Sequence, residues 1–444
     1  MRNLLIIAHE FPPSAGGGVQ RISKIAQYLP QHGWQPTVLC AKPVPGRPID
    51  DTLLDEVAGL EVVRLPARDI STAVARAYAP FKRLRSALKR SKGSGDVATV
   101  TGSYTRTAME IPMSTRIVRR WFLDSAAIWG RQVPAEALRL HRLTPFDAIL
   151  ASGPPPSALL AGAAASELCG IPLIADFRDG WMTRADFRWP DDPAKDAKSR
   201  AAEQSVLDRA SLAVAVSEPI AEELREFGIE DVMVVENGFD PADLPRHEPH
   251  GGPLRVGFMG RFYNVTDPSP FFDGAVIALR DEPACSDMRI DVVGPPSEIA
   301  MAMVADRGLE DVVTFHGFLP HGEALDLMAG ADVGLVAIAD NPGADANYTG
   351  KLFEYLGVGL PVLLVGPPNG VAAQLIRKAA AGKVAPYSDP QSVADALGEF
   401  ARAKRAGEPA GSPIESAIAP FDRRAQVAVL AAAFDELVAG TGRD

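Results

Sequence analysis

The chain has 444 residues, 47% hydrophobic and 23% charged, an ordinary globular composition that excludes a fibrous or largely disordered protein. Lys and Arg number 45 against 56 Asp and Glu, and the formal charge of −11 excludes nucleic-acid binding built on overall basicity. The charge is uneven, because residues 81–142 hold thirteen Lys/Arg and four Asp/Glu, net +9, leaving −20 on the rest. Cys40, Cys169 and Cys285 are far apart and odd in number, with neither a metal-ligand pair nor a disulfide framework, which fits a reducing compartment. The apolar stretch at the N-terminus is too short for a secretion signal, and His9 and Glu10 follow it at once. No run reaches the roughly 18 apolar residues of a membrane span. The expectation is a soluble, cytoplasmic protein of two or three domains.

Short apolar runs alternate with helical patterns along the chain, the signature of parallel sheets covered on both faces. Strands are expected at 3–8, 36–41, 148–151, 172–175 and 212–216. Between the first two, Val19, Ile22, Ile25, Ala26 and Leu29 recur at helical spacing. Helices are expected at 158–168 and 201–209, both mostly Ala-faced, which implies close packing on the sheet. Residues 239–253 then carry four prolines and two glycines and read as a linker. Beyond it the alternation restarts, with strands at 254–259, 289–293, 312–316, 333–337 and 361–365. Helices fall at 271–280, 300–307, 321–329, 351–358, 371–379 and 392–402. A last helix over 424–438 gathers Val427, Leu430, Ala431, Phe434, Leu437 and Val438 on one face. The pattern predicts two doubly wound α/β domains with a cleft between the carboxyl ends of their strands.

Two familiar nucleotide-binding motifs fail. Gly16-Gly17-Gly18 follows the first strand, but Arg21 occupies the third glycine position of a dinucleotide fingerprint, and no ribose-binding acid ends the second strand. The phosphate-loop pattern and any Asp-x-Asp triplet are absent. A tight turn is the plain reading of Gly16–Gly18, yet three glycines exceed what a turn needs. They leave helix N-terminal N–H groups open to an anion or to sugar hydroxyls.

The second half carries more chemistry. Its first strand ends in Gly260-Arg261, where the glycine admits a ligand close to the backbone and the guanidinium suits phosphate. Later comes Asn347-Tyr348-Thr349-Gly350-Lys351-Leu352-Phe353-Glu354. Thr349-Gly350 can start a helix whose first turn aims N–H groups and the Lys351 cation at one anion. Glu354 stands nearly one turn further along the same face, where a carboxylate suits ribose hydroxyls. The bland alternative is a Lys351–Glu354 surface ion pair of little worth.

The segments HEFPPSAGGGVQR (from His9), SGPPPSALLAG (from Ser152), IPLIADFRDGW (from Ile171), VVENGFD (from Val234), VGFMGRFY (from Val256) and TGKLFEYLGVGLPVL (from Thr349) lie in order over most of the chain. Together they resemble the family-4 retaining glycosyltransferases of the GT-B fold, in a branch with a TGKLFEYL-type donor motif. The resemblance implies an acceptor-side domain over 1–245, with the basic insertion at about 81–142, and a nucleotide-sugar-binding domain over 254–420. It also implies a terminal helix, 421–444, returning to brace the first domain. Carried over, Arg261 and Lys351 bind the donor diphosphate, and Glu354 binds the ribose. The Gly16, Gly17 and Gly18 loop lies beside the phosphates and sugar, together with Gly260, Asn347, Tyr348, Thr349, Gly350 and Leu352. Asp176, Arg178 and Asp179 border the reacting centre, and Asn237 and Asp240 stand at the interdomain edge.

Two departures from the family pattern stand out. Ala346 occupies the place, eight before Glu354, of the first of two paired glutamates, and no lysine follows Arg261 within Phe262-Tyr263-Asn264-Val265-Thr266-Asp267. The resemblance implies a metal-independent enzyme with no cofactor beyond its nucleotide-sugar co-substrate. Its product is a glycosidic bond to a saccharide or lipid-linked acceptor in surface polysaccharide or glycolipid synthesis. The alternatives are a nucleotide-sugar epimerase of the same fold and a non-catalytic sugar-nucleotide-binding subunit. In the basic island Lys82, Arg83, Arg85, Lys89, Arg90, Lys92, Arg116, Arg119 and Arg120 are joined by Trp121, Phe122 and Trp129. Against a plain solvated face stands contact with an anionic membrane, placing the protein peripherally at its inner side.

Overall fold

The computed structural model describes the chain apart from residues 75–121, 183–188, 190–191, 263–265, 296, 409–410, 412 and 442–444. Two all-parallel sheets organise it. The first contains β1 (Arg2–Ala8), β2 (Trp34–Ala41), β3 (Glu61–Leu65), β4 (Ala148–Gly153), β5 (Leu173–Phe177), β6 (Ala210–Ala215) and β7 (Val232–Val234), in the order 3-2-1-4-5-6-7. The second contains β8 (Arg255–Met259), β9 (Arg289–Val293), β10 (Val313–Gly317), β11 (Val333–Ala337), β12 (Val362–Gly366) and β13 (Gly382–Pro386), in the order 10-9-8-11-12-13. Each order reverses direction beside its first strand, and such a switch point opens a crevice at the carboxyl ends. The architecture is the GT-B pair of Rossmann-like domains.

The interior strands follow from their apolar runs. Ile6 of β1 stands opposite Val38 of β2 and Leu150 of β4, all fully or almost fully buried. Among the described residues, the helices of eight or more residues are α1 (Gly17–Tyr28), α2 (Val133–Leu143), α3 (Pro156–Cys169), α4 (Pro193–Leu207), α5 (Glu218–Glu226), α6 (Ser269–Asp281), α7 (Glu298–Asp306), α8 (His321–Ala329), α9 (Gly350–Val358), α10 (Val371–Lys378), α11 (Pro390–Ala406) and α12 (Arg423–Thr441). On α3, Ala158, Ala161 and Ala165 are buried against the first sheet, as an Ala-faced helix requires.

Three strands, β3, β7 and β13, carry no signal as apolar runs. All three are sheet edges with one partner each and mostly half-exposed residues, so their sequences need not be hydrophobic on both faces. The linker holds no regular element but is tied down. Phe239 donates its N–H to Phe421 O at 2.9 Å and accepts from Arg423 N–H at 2.9 Å.

The last helix packs on the first domain. Val427, Leu430, Ala431 and Phe434 are buried among Leu4, Ile6, Ile22, Ile25 and Trp34. The Trp34 and Phe434 rings meet edge to face at 5.9 Å, and Trp34 Nε1–H donates to Asp435 at 3.0 Å.

The basic island lies outside the described residues from 81 to 121, which covers its Lys and Arg cluster and Trp121. Its described end corrects one expectation: Trp129 is no surface aromatic. It is fully buried, its ring edge against His9 at 5.0 Å, while Phe122 is half-buried. Truncation of Phe434 to Ala removes a buried ring from the strap between domains. We expect it to lower unfolding free energy by about 3–5 kcal/mol, measured by denaturant titration; a loss below about 1 kcal/mol would show that α12 carries no bracing load.

Candidate functional site in the interdomain cleft

The carboxyl ends of both sheets face a cleft of about 560 Å³. All the sequence-predicted site residues line it except Asp176, Asp240 and Leu352. Leu352 is fully buried in the core of the second domain. Asp176 corrects a further expectation, since it lies beneath the cleft surface, 1% exposed, instead of bordering it. Its carboxylate accepts from Arg21 Nη2 at 2.8 Å and from the Ser152 hydroxyl at 2.6 Å. Arg21 Nη1 donates onward to the carbonyls of Val235 and Glu236, both at 2.9 Å.

Directly above, β5 leads into Arg178 and Asp179. The Arg178 guanidinium is held by the carbonyls of Gly153 and Pro154, and burial lowers its pKa against the raising pull of Asp176 and Asp179. A side chain on Gly18 would place its Cβ 1.9 Å from Arg178 Nη1, so this glycine is needed for the close approach. Gly16 has φ +144°, a conformation that only glycine adopts easily, and it starts α1 without a side-chain cap. Gly17 faces open space.

From the second domain, β8 delivers Gly260 and the exposed Arg261, and α9 delivers Lys351 and Glu354. Tyr355 ties these elements together: its hydroxyl accepts the Met259 N–H at 2.9 Å, fixing the end of β8 to α9. Lys351 Nζ sits 4.1 Å from the centre of the Phe258 ring and close over Gly260. Burial pushes its pKa down to about 8, against the raising pull of Glu354. The Lys351–Glu354 ion pair does not form. Glu354 Oε1 instead meets His321 Nε2 at 2.8 Å, and Oε2 remains open to a second partner among the described residues. Burial alone would lower the His321 pKa, and the Glu354 carboxylate overrides it to raise the value. The backbone N–H of His321 donates to Asp50 Oδ2 at 2.7 Å, linking the two domains at the head of α8.

Thr349 corrects the capping expectation. It stands at the N-cap position of α9, but its hydroxyl bonds no helix N–H, and its Oγ1 is buried without a partner. Ala346 explains the missing glutamate, because this position does not line the cleft. Its methyl is packed with the first-domain core, and its carbonyl accepts from the Ser217 hydroxyl at 3.0 Å. Asn237, Asn347 and Tyr348 line the cleft beside the crossover segments, and burial pushes the Tyr348 hydroxyl up to about 12. Asp240 is buried off the cleft, bonded to the Tyr28 hydroxyl at 2.6 Å and paired with Lys24 at 2.9 Å.

Sequence reasoning missed Glu10, Asp50, His321 and Arg423, which also line the cleft. His321 and Arg423 head helices and follow a strand or loop, so their positions were readable, but no motif contained them. Among the described residues, Arg261 and Lys351 have no ion pair, whereas Glu10 pairs with Arg47 and Glu354 with His321. The site therefore offers uncommitted cations and committed carboxylates.

Comparison with known proteins accords with this geometry. Family models match a glycosyl transferase 4-like domain over residues 16–238 and glycosyl transferases group 1 over residues 253–402. WcaL of Salmonella typhimurium (strain LT2), named as a glycosyltransferase of colanic acid biosynthesis, is 31% identical over 117 residues. That stretch spans 26% of this chain and only 28% of WcaL. Among solved structures, sucrose-phosphate synthase of Thermosynechococcus elongatus has TM-score 0.64 and 14% identity, over 99% of this chain and 100% of the other. Anabaena HepE, in complex with UDP and glucose, has TM-score 0.61 and 16% identity over 99% of each chain. At such identities the structural likeness bears on the fold alone, whereas the matched domains reach across most of the sequence. The chain belongs to the glycosyltransferases that join a glycosyl transferase 4-like domain to a glycosyl transferases group 1 domain.

Proposed function

We propose that this protein is a retaining, metal-independent glycosyltransferase. It moves a sugar from a nucleotide-sugar donor to a saccharide or lipid-linked acceptor in bacterial-type surface polysaccharide or glycolipid synthesis. The observation that carries the reading is Lys351, an amine desolvated over Phe258 and Gly260 beside Arg261, with no ion pair of its own among the described residues. In sugar transfer the anomeric carbon becomes oxocarbenium-like while negative charge grows on the leaving diphosphate. Cations fixed at that diphosphate stabilise the transition state more than the ground state. Arg261, Lys351 and the first turn of α9 take this role, and they supply the charge that a metal would otherwise bring.

Glu354 Oε2 accepts a ribose hydroxyl while Oε1 keeps His321. The orphaned Thr349 hydroxyl and the Asn347 amide face the donor sugar, and Ala346, packed in the first-domain core, adds no carboxylate beside them. From the first domain, the Gly16–Gly18 loop and Arg178 close over the donor, and Asp179 orients the acceptor hydroxyl. Because Glu10 and Glu354 are already engaged, no free carboxylate among the described residues stands out as a covalent nucleophile. A front-face reaction, in which the leaving phosphate takes the acceptor's proton, keeps configuration without one.

We also propose that residues 81–142 hold the protein to an anionic membrane surface, where a lipid-linked acceptor lies; the support is the local net charge of +9. Among the described residues no helix is long and apolar enough to cross a membrane.

Three outcomes test these readings. Lys351→Ala and Arg261→Ala should each lower kcat roughly 100-fold or more with any accepted donor; near-wild-type turnover in both would sink the leaving-group assignment. Free Lys351 loses its proton as pH rises through about 8, and a neutral amine binds the diphosphate less well. Accordingly kcat/KM should decline above that pH, and Lys351→Arg should hold it level, since a guanidinium stays charged. A flat wild-type profile to pH 10 speaks against a lysine contact. Binding to anionic vesicles should appear at low salt and fade as salt rises; no binding at low ionic strength refutes the membrane contact.

A further inference from the structure

One charged group in the cleft remains without an assignment. Arg423 opens α12, and its side chain, 7% exposed, lines both the cleft and a water-sized hollow next to Arg21 and Lys24. Its backbone is fixed by the Phe239 carbonyl, but among the described residues its guanidinium meets no hydrogen-bond acceptor. Among the described residues no carboxylate pairs with it. Glu354 holds His321, Asp240 holds Tyr28 and Lys24, and Asp243 holds Lys24 at 2.7 Å. The neighbouring cation Arg21 is paired with Asp176 and adds repulsion. Burial, followed by Arg21, pushes the Arg423 pKa down to about 10.

A guanidinium largely withdrawn from water and left unpaired is costly, and a ligand anion that supplies the missing acceptors recovers the cost. Resting on the donor reading above, we propose that Arg423 is an anion-binding residue, taking an anionic oxygen of the nucleotide-sugar donor. That oxygen belongs either to the diphosphate or to a carboxylate on the sugar, which present the same forked acceptor to a guanidinium.

The test pairs wild type with Arg423→Gln and Arg423→Lys in thermal unfolding and calorimetric titration. The ligands are inorganic pyrophosphate, UDP, GDP, UDP-glucose and UDP-glucuronate. Without ligand, Arg423→Gln should melt at the wild-type temperature or above it, because it removes an unpaired buried charge. Its affinity should fall at least tenfold, equivalent to about 1.4 kcal/mol, with Arg423→Lys in between. Loss across every diphosphate assigns Arg423 to the diphosphate, whereas loss confined to UDP-glucuronate assigns it to the sugar carboxylate. A lower melting temperature with unchanged affinities marks a structural arginine and overturns the proposal. Equal nucleotide binding by wild type and variants overturns it too, while leaving the donor reading standing. Arg423-dependent binding of pyrophosphate alone would preserve the anion site and remove the donor reading; no binding of any ligand by wild type defeats both.

Discussion

The geometry of the cleft rests on one buried ion pair. Arg21 and Asp176 meet at 2.8 Å with almost no exposure on either side. Through them α1 is held to β5, to Ser152 at the end of β4, and to the carbonyls of residues 235 and 236 where the chain leaves the first sheet. A buried pair of this kind contributes little net stability, but removal of one partner strands the other and costs several kcal/mol. Its value lies in position. The pair fixes α1 beneath the glycine loop and β5 beneath Arg178 and Asp179, so the floor of the first domain is set before any ligand arrives.

The same constraint explains why α1 buries its polar side. Gln20, Arg21, Ser23 and Lys24 are as covered as Val19, Ile22 and Ile25. The apolar face lies on the sheet, and the polar face lies under the linker and the head of α12. Lys24 answers three carboxylates there, Glu56 at 3.0 Å, Asp240 at 2.9 Å and Asp243 at 2.7 Å. Two of the three belong to the linker, which makes the crossing between domains an electrostatic seat instead of a loose tether. Charge inside this interface is thus balanced almost wholly by residues of the protein, and the cations that remain unbalanced point to the cleft.

Much of this was legible in the sequence, for reasons that differ by residue. Interior strands such as β1 and β11 announce themselves because both faces are buried, whereas β3 and β7 are edges and carry no such mark. Gly18, Gly260 and Lys351 stood out because glycines near strand ends and a lysine in the first turn of a helix suit a bound anion. Asp176 was misread because its neighbours Arg178 and Asp179 do reach the cleft. Its place inside β5, whose five residues are all buried, and its partner Arg21, 155 residues away in sequence, decide its burial, and one chain read alone does not reveal such a pairing. Trp129 went wrong in the same way, as basic neighbours in sequence concealed a ring that packs on His9.

His321 shows how the two domains share the site. Its ring holds one oxygen of Glu354 while its backbone N–H holds Asp50 from the other domain. Ser217 reaches across in the opposite sense to the carbonyl of Ala346, just before the cleft-lining segment from Asn347 begins. Segment 346–354 is therefore positioned by both sheets at once: from one side by Ser217, from the other by Tyr355 on the end of β8. A donor bound along α9 would lie on a surface whose shape depends on the domains keeping this separation. Contacts at the edges of the cleft, from Asp50 to His321 and from Ser217 to Ala346, then set the distance between the Gly16–Gly18 loop and Lys351.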